Sequence, residues 1–257
     1  MNHKTLAKTL EQSESTSKIV VLWTAPRCVS TAFEKTFYQR RDAATVHEPF
    51  LDVYYYSRWR RSDRMGQDST RLDYGTAGVI ERIKSSTAPV VFIKEMAYHA
   101  LPYIEREFLN APLVNTFLVR NPKKSLLSWY KLNEFPTEEE FGFDGLATMC
   151  KLVEEGGQRP IVVEADRFQK DPEKTMQSYC QAVGIEFVPE MLSWNEGRMK
   201  QENLLKEEIH EKWHQTLVNS KGILPPTEAI GEIRSEDMPM LERAMKAYEA
   251  LSQFALK

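Results

Sequence analysis

Cysteine is scarce. Cys28, Cys150 and Cys180 are the only three in 257 residues, too few and too scattered for a disulfide framework or a zinc site. Free thiols are expected, and with them a reducing compartment, the cytoplasm. Long apolar runs are missing as well. No stretch approaches the roughly 18–20 residues of a membrane span, and the opening MNHKTLAKTLEQSESTSK lacks the apolar core of a secretory leader. Charge of one sign is not in excess. Lys and Arg number 34 against 37 Asp and Glu, a net charge of −3. That excludes bulk attraction to nucleic acid and requires any basic site to be local. The glycine–lysine phosphate loop, G-x-x-x-x-G-K-[ST], is absent.

Apolar residues make up 42% of the chain, ordinary for a globular protein, and 257 residues suffice for one full core. One domain over 1–257 is expected, with a polar segment at 1–17. Short β-rich runs recur at Ile19–Trp23, Ala44–His47, Pro89–Lys94, Leu113–Val119 and Pro160–Glu164. Between and after them lie helical patterns at Ser30–Arg40, Gly75–Ser85, Tyr98–Phe108, Lys123–Leu132, Leu146–Glu155, Pro172–Val183 and Ser235–Leu256. Glu190–His210 reads as a polar helix or lid, Asn133–Gly145 as an acidic loop, and Tyr54–Arg71 resists assignment. Alternation of this kind predicts an α/β fold: an open parallel sheet of about five strands with helices on both faces. Ligands of such sheets sit beyond the C-terminal strand ends. Arg27, Glu48, Lys94 and Arg120 fall there.

Two segments stand out. KIVVLWTAPRCVSTAFEKTF (Lys18–Phe37) and VNTFLVRNPKKSLLSWYKL (Val114–Leu132) each read as strand, basic hydroxyl-bearing turn, helix. Each aims a helix N-terminus and a cation at one point, an arrangement suited to an anion. In the first turn, Arg27 stands where a phosphate loop carries lysine, and Ser30 and Thr31 open the helix. In the second, Arg120 ends the strand and Ser128 follows two helical turns later. Alone, each fits an ordinary capped helix start. As a pair they suggest a ligand with two phosphate-like groups.

Together these segments resemble the sulfotransferases that use 3′-phosphoadenosine 5′-phosphosulfate (PAPS). PRCVST is similar to the family's PRSGST-type loop for the 5′-phosphosulfate, and RNPKKSLLS to its 3′-phosphate motif. IVVEADRFQKDPEKTMQSYCQAVGIEF resembles a further family strand–loop–helix, and WHQTLVNSKGI (Trp213–Ile223) the segment that closes over the nucleotide. The likeness spans about residues 18–223, with 195–225 as the closing segment. It implies PAPS as donor and 3′-phosphoadenosine 5′-phosphate (PAP) as product, with no metal. The acceptor would be a small molecule with a hydroxyl group, as in the small soluble bacterial members that tailor secondary metabolites. It implies further that Arg27, Cys28, Val29, Ser30 and Thr31 hold the 5′ end. Arg120 and Ser128 would hold the 3′-phosphate, helped by Lys221 and Gly222. Cys28 and Val29 replace the usual Ser-Gly pair, and Ala165 stands where many members have a tyrosine near the adenine. Trp59 is one substitute for that stacking.

In sulfuryl transfer, charge builds on the bridging oxygen of the leaving phosphate, as in phosphoryl transfer. Lys94 is placed to reach that oxygen. Three residues compete for the base at the acceptor hydroxyl. Glu48 lies in an EPF segment like that of some bacterial members. His99 follows Lys94 at a wider spacing than the family's K-T-H. His47 adjoins Glu48, but strand alternation predicts that it points the other way. Two other readings stay open: a nucleotide-dependent small-molecule kinase, and a nucleotide-binding protein without catalysis.

Overall fold

The computed structural model describes residues 17–65, 75–104, 106–109, 112–132, 134–197, 199 and 215–257. Five strands, β1 (Lys18–Thr24), β2 (Ala43–His47), β3 (Val90–Met96), β4 (Leu113–Val119) and β5 (Ile161–Glu164), form one parallel sheet in the order β2-β3-β1-β4-β5. The helices are α1 (Ser30–Tyr38), α2 (Leu51–Tyr56), α3 (Thr76–Lys84), α4 (Ala97–Ala100), α5 (Arg106–Leu109) and α6 (Pro122–Tyr130) in the first half of the chain. The second half adds α7 (Glu138–Phe141), α8 (Phe143–Glu155), α9 (Ala165–Lys170), α10 (Pro172–Val183), α11 (Gln215–Val218) and α12 (Met238–Ser252).

Strand alternation sorts the core into two layers. Val21 and Trp23 of β1 share a face with Val91, Ile93, Phe117, Val119 and Val162, and apolar residues of α3, α8 and α12 cover it. Val20 and Leu22 share the opposite face with Phe92, Leu118 and Val163, covered by α1 and α10. Phe37 of α1 stacks on Phe92 of β3 at 3.8 Å between centroids. The central strand β1 is apolar on both faces because both faces are covered.

Several element expectations are corrected. Tyr98–Phe108 is not one helix. Pro102 lacks the N–H a helix interior needs, and the segment splits into α4 and α5. The acidic loop contains α7, nucleated by a capping box in which Thr137 and Glu140 each serve the other's backbone N–H. Of Glu190–His210, the described part holds a 3₁₀ turn at Pro189–Leu192 followed by bends; residues 200–210 lie outside the described residues. Part of Tyr54–Arg71 is helical, since α2 runs to Tyr56.

The sheet order positions the site. From β1 the chain leaves toward β2 on one side, and from β4 toward β5 on the other, while β1 and β4 are neighbours. Their C-terminal ends are level, with Thr24 opposite Leu118. A crevice opens where neighbouring strands send their connections apart. The turns carrying Arg27 and Arg120 flank it.

Candidate active site

The turn after β1 has no glycine, yet Arg27 and Val29 sit in the left-handed region at φ 62 and φ 67. For a β-branched residue that conformation costs on the order of 1–3 kcal/mol and persists only where the surroundings impose it. The Ala32 and Phe33 amides both donate to the Val29 carbonyl, at 3.1 and 3.2 Å. The amides of Cys28 to Thr31 precede this first helical bond, so α1 does not consume them. A concave run of such amides is an anion nest. The Cys28 side chain is fully buried, its thiol against the Pro26 carbonyl and Ser125, and burial pushes the thiol up. Its contribution is confined to its amide.

Three predicted residues meet beneath this turn. Arg27 Nε donates to Ser128 Oγ at 3.0 Å, and Arg120 Nη1 donates to the Arg27 carbonyl at 3.0 Å. Arg27 and Ser128, assigned by resemblance to different anions, are thus hydrogen-bonded to each other. Arg120 Nε is buried with no hydrogen-bond partner. Burial, reinforced by the adjacent Arg120 charge, brings the Arg27 guanidinium down to about 10. Two clustered guanidiniums, an orphaned donor and an amide nest fit a phosphate-bearing ligand.

The second group gathers at the ends of β2 and β3. The Glu48 amide donates to the Lys94 carbonyl at 2.7 Å, and its carboxylate forms an ion pair with Lys94 Nζ. Lys94 is fully buried and does not line the cavity described below. Burial alone would raise the Glu48 carboxyl, but Lys94, His47 and His99 outweigh it and hold it well below the usual carboxylate range. His47 Nδ1 lies 2.6 Å from Glu34 Oε2, and its Nε2 lies 3.7 Å from Glu48 Oε1. The expectation that His47 points away from Glu48 fails. Glu48 is at φ 37, so the extended run ends at His47 and alternation does not carry past it.

His99 has a partner that sequence reasoning missed. Its Nδ1 is 3.1 Å from Glu95 Oε1 and 4.0 Å from Glu48 Oε2. Glu95 is fully buried and also accepts the Phe50 amide at 2.6 Å and the Met96 amide at 2.9 Å. Burial, then the neighbouring Glu48 charge, raises the Glu95 carboxyl, opposed by His99 and the Phe50 amide. His99 Nε2 is buried without a partner. The signal lay in KEMAYH, where Glu95 precedes His99 by four residues. That spacing brings side chains together in a helix, but Glu95 falls between the strand predicted to end at Lys94 and the helix predicted to start at Tyr98. β3 turns directly into α4, so the pair meets across the junction.

One cavity of about 410 Å³ connects the two groups. Arg27, Val29, Ser30, Thr31, Arg120 and Ser128 line it, and so do His47, Glu48 and His99. Leu51, Tyr55, Met65, Met96 and Tyr98 supply an apolar and aromatic wall. Leu217, Ser220, Gly222, Leu224 and Pro225 supply another. This last segment is tied down by Trp194: its amide donates to the Lys221 carbonyl at 3.1 Å and its indole to Ser220 Oγ at 3.0 Å. Gly222 lines the cavity, whereas Lys221 is exposed and pairs with Glu196 at 3.5 Å. Trp59 does not line it; it is half-exposed under Arg58. Ala165 is buried in the core. Trp213 lies outside the described residues. Of the acidic run, Glu140 is buried against Arg64 at 2.6 Å, and Glu139 accepts from Tyr54 at 3.0 Å. Among the described residues no group of three or more His, Cys, Asp or Glu could hold a metal ion, and no helix is long and apolar enough to cross a membrane.

Fold and site together define a P-loop-like α/β protein that gathers an anion nest and a histidine–carboxylate cluster in one cavity. A sulfotransferase domain model matches residues 18–255, and the chain belongs to that family. Two Arabidopsis thaliana proteins, branched-chain-amino-acid aminotransferase-like proteins 1 and 2, are each 25% identical over 238 residues. The match covers 91% of this chain and 41% of theirs, so it spans well under half of those longer relatives. Among solved structures, mouse sulfotransferase SULT7A1 complexed with PAP superposes with a TM-score of 0.51 at 11% identity, covering 97% of this chain and 92% of that one. The sulfotransferase domain of the Synechococcus PCC 7002 olefin synthase gives 0.49 at 14%, covering 90% and 97%. At 11% identity the likeness to the mouse structure is likeness of fold.

Proposed function

We propose that this sulfotransferase takes its sulfuryl group from PAPS and delivers it to the hydroxyl of a small-molecule acceptor. The observation that carries this reading is the single cavity lined by the Arg27–Arg120–Ser128 cluster and by His99 and Glu48. Anion-binding groups and a base must share one space for a charged donor to meet a hydroxyl.

The amides of Cys28 to Thr31 and Arg27 would receive the 5′-phosphosulfate. Arg120, with its unused Nε, and Ser128 would receive the 3′-phosphate. Gly222 would lie against the nucleotide, with Lys221 at the rim. As the acceptor oxygen bonds to sulfur, the bond from sulfur to the bridging oxygen breaks and PAP leaves. The charge left on the phosphate would be stabilised by Arg27 and the nest. The acceptor proton would pass to His99 Nε2. Of the three candidate bases His99 fits best. Glu48 is an ion-paired carboxylate too acidic to take a proton effectively, and a base works best near the operating pH. Glu48 would instead hold Lys94, and His47 is engaged by Glu34. The Leu51, Tyr55, Met65, Met96 and Tyr98 wall suits an acceptor with an apolar or aromatic body. A secondary metabolite acted on in the cytoplasm is our proposed context. The name of the Arabidopsis relatives is said of their whole, longer chains and carries no argument for the matched residues.

Incubation with PAPS and a panel of phenols and alcohols should release PAP, with a sulfated product found by mass spectrometry. Turnover only with ATP and magnesium would replace this reading with a kinase.

A further inference from the structure

We infer that Glu95 is a positioning residue for His99: its carboxylate accepts the Nδ1 proton and so leaves Nε2 as the basic nitrogen. This rests on the reading of His99 as the base. Three observations carry it. Nδ1 faces Glu95 Oε1 at 3.1 Å, and Nε2 is buried with no partner. Glu95 already accepts the Phe50 and Met96 amides, one on each oxygen. Those bonds favour the ionised form against the burial that raises this carboxyl; an ionised carboxylate has no proton to donate, so the Nδ1 contact needs its proton on the histidine. A hydrogen bond at one imidazole nitrogen decides which nitrogen is free for chemistry. Glu95 does a second thing at the same time. Through the Phe50 amide it ties the segment that carries His47 and Glu48 to the end of β3.

His99 is surrounded by few other charges. The Glu48 carboxylate is 4.0 Å from Nδ1 and is itself paired with Lys94. The Tyr54, Tyr55 and Tyr98 rings of α2 and α4 lie with centroids 5.3, 5.5 and 4.3 Å from the imidazole. All three phenols are raised, chiefly by burial, and stay neutral. Beyond Tyr55, Glu140 pairs with Arg64. Glu95 is therefore the carboxylate in closest contact with the ring. Removing its charge destabilises the imidazolium, so the acid limb of a rate that needs neutral His99 must move to lower pH.

Two measurements test this. In the wild-type protein, long-range ¹H–¹⁵N correlation of the histidine rings, with His99 assigned by difference from His99→Gln, should show Nδ1 protonated and Nε2 unprotonated. The opposite tautomer overturns the proposal, whether or not the protein transfers sulfate. In Glu95→Gln, kcat should fall about 10²-fold, the range for an impaired general base. KM and PAP affinity should hold, and the acid limb of kcat/KM should shift to lower pH. Glu95→Asp, which keeps the charge, should recover part of kcat. Equal losses of PAP affinity and melting temperature with an unmoved limb would make Glu95 merely structural. Should Glu95→Gln fail to fold, the wild-type tautomer decides.

Discussion

Val29 at φ 67 holds the nest amides at the price of a strained backbone. Glycine adopts that conformation without steric penalty. Val29→Gly should therefore leave stability within about 1 kcal/mol of wild type, relief of strain offsetting lost packing. Phe37→Ala, which removes the ring stacked on Phe92 in the core, should cost about 3–5 kcal/mol. Urea melts compare the two. At Glu48 the folded carboxyl is held below its ordinary value of 4.5. A depressed carboxylate stabilises the fold above that value and loses its contribution as pH falls below it. Glu48→Gln should flatten this acid-side decline in thermal melts from pH 5 to 3. That Arg27, Ser30, Thr31, Arg120 and Ser128 line one cavity was legible only from the two strand–turn–helix segments taken together, since each alone fits an ordinary capped helix start. Glu95 was not legible, because it falls between the predicted strand and the predicted helix, and only the direct passage of β3 into α4 sets it against His99.

Elements were legible where periodicity was strong. All five strands, and the helices α1, α6, α8, α10 and α12, follow the apolar pattern to within a few residues. The failures have local causes. Pro102 divided an amphipathic run, and Thr137 with Glu140 made a helix of a stretch whose charge suggested loop. α7 matters beyond its length, since Glu140 also receives Arg64, a residue of the cavity wall. Thr137→Ala removes the cap and should cost about 1 kcal/mol, read as a lowered urea midpoint. Arg64 would then lose part of its anchor, so the acceptor KM should rise while PAP affinity holds.

At the scale of the molecule, the parallel sheet and its two helical faces could be read from strand–helix alternation, but strand order could not. That β4 lies beside β1 is what brings Arg120 and Ser128 to Arg27, residues some ninety to a hundred positions apart in sequence. It also explains why the two predicted anion turns adjoin and are hydrogen-bonded to each other. The central claim is that this cluster reads a nucleotide by two separate phosphates. The most direct test is calorimetric titration with PAP, against adenosine 5′-phosphate and ATP with magnesium. PAP should bind at least about 10²-fold tighter than adenosine 5′-phosphate, as expected for two charge-assisted bonds to the 3′-phosphate, and Arg120→Ala should erase the difference. Equal affinity for PAP and adenosine 5′-phosphate, or a preference for ATP, would contradict the account.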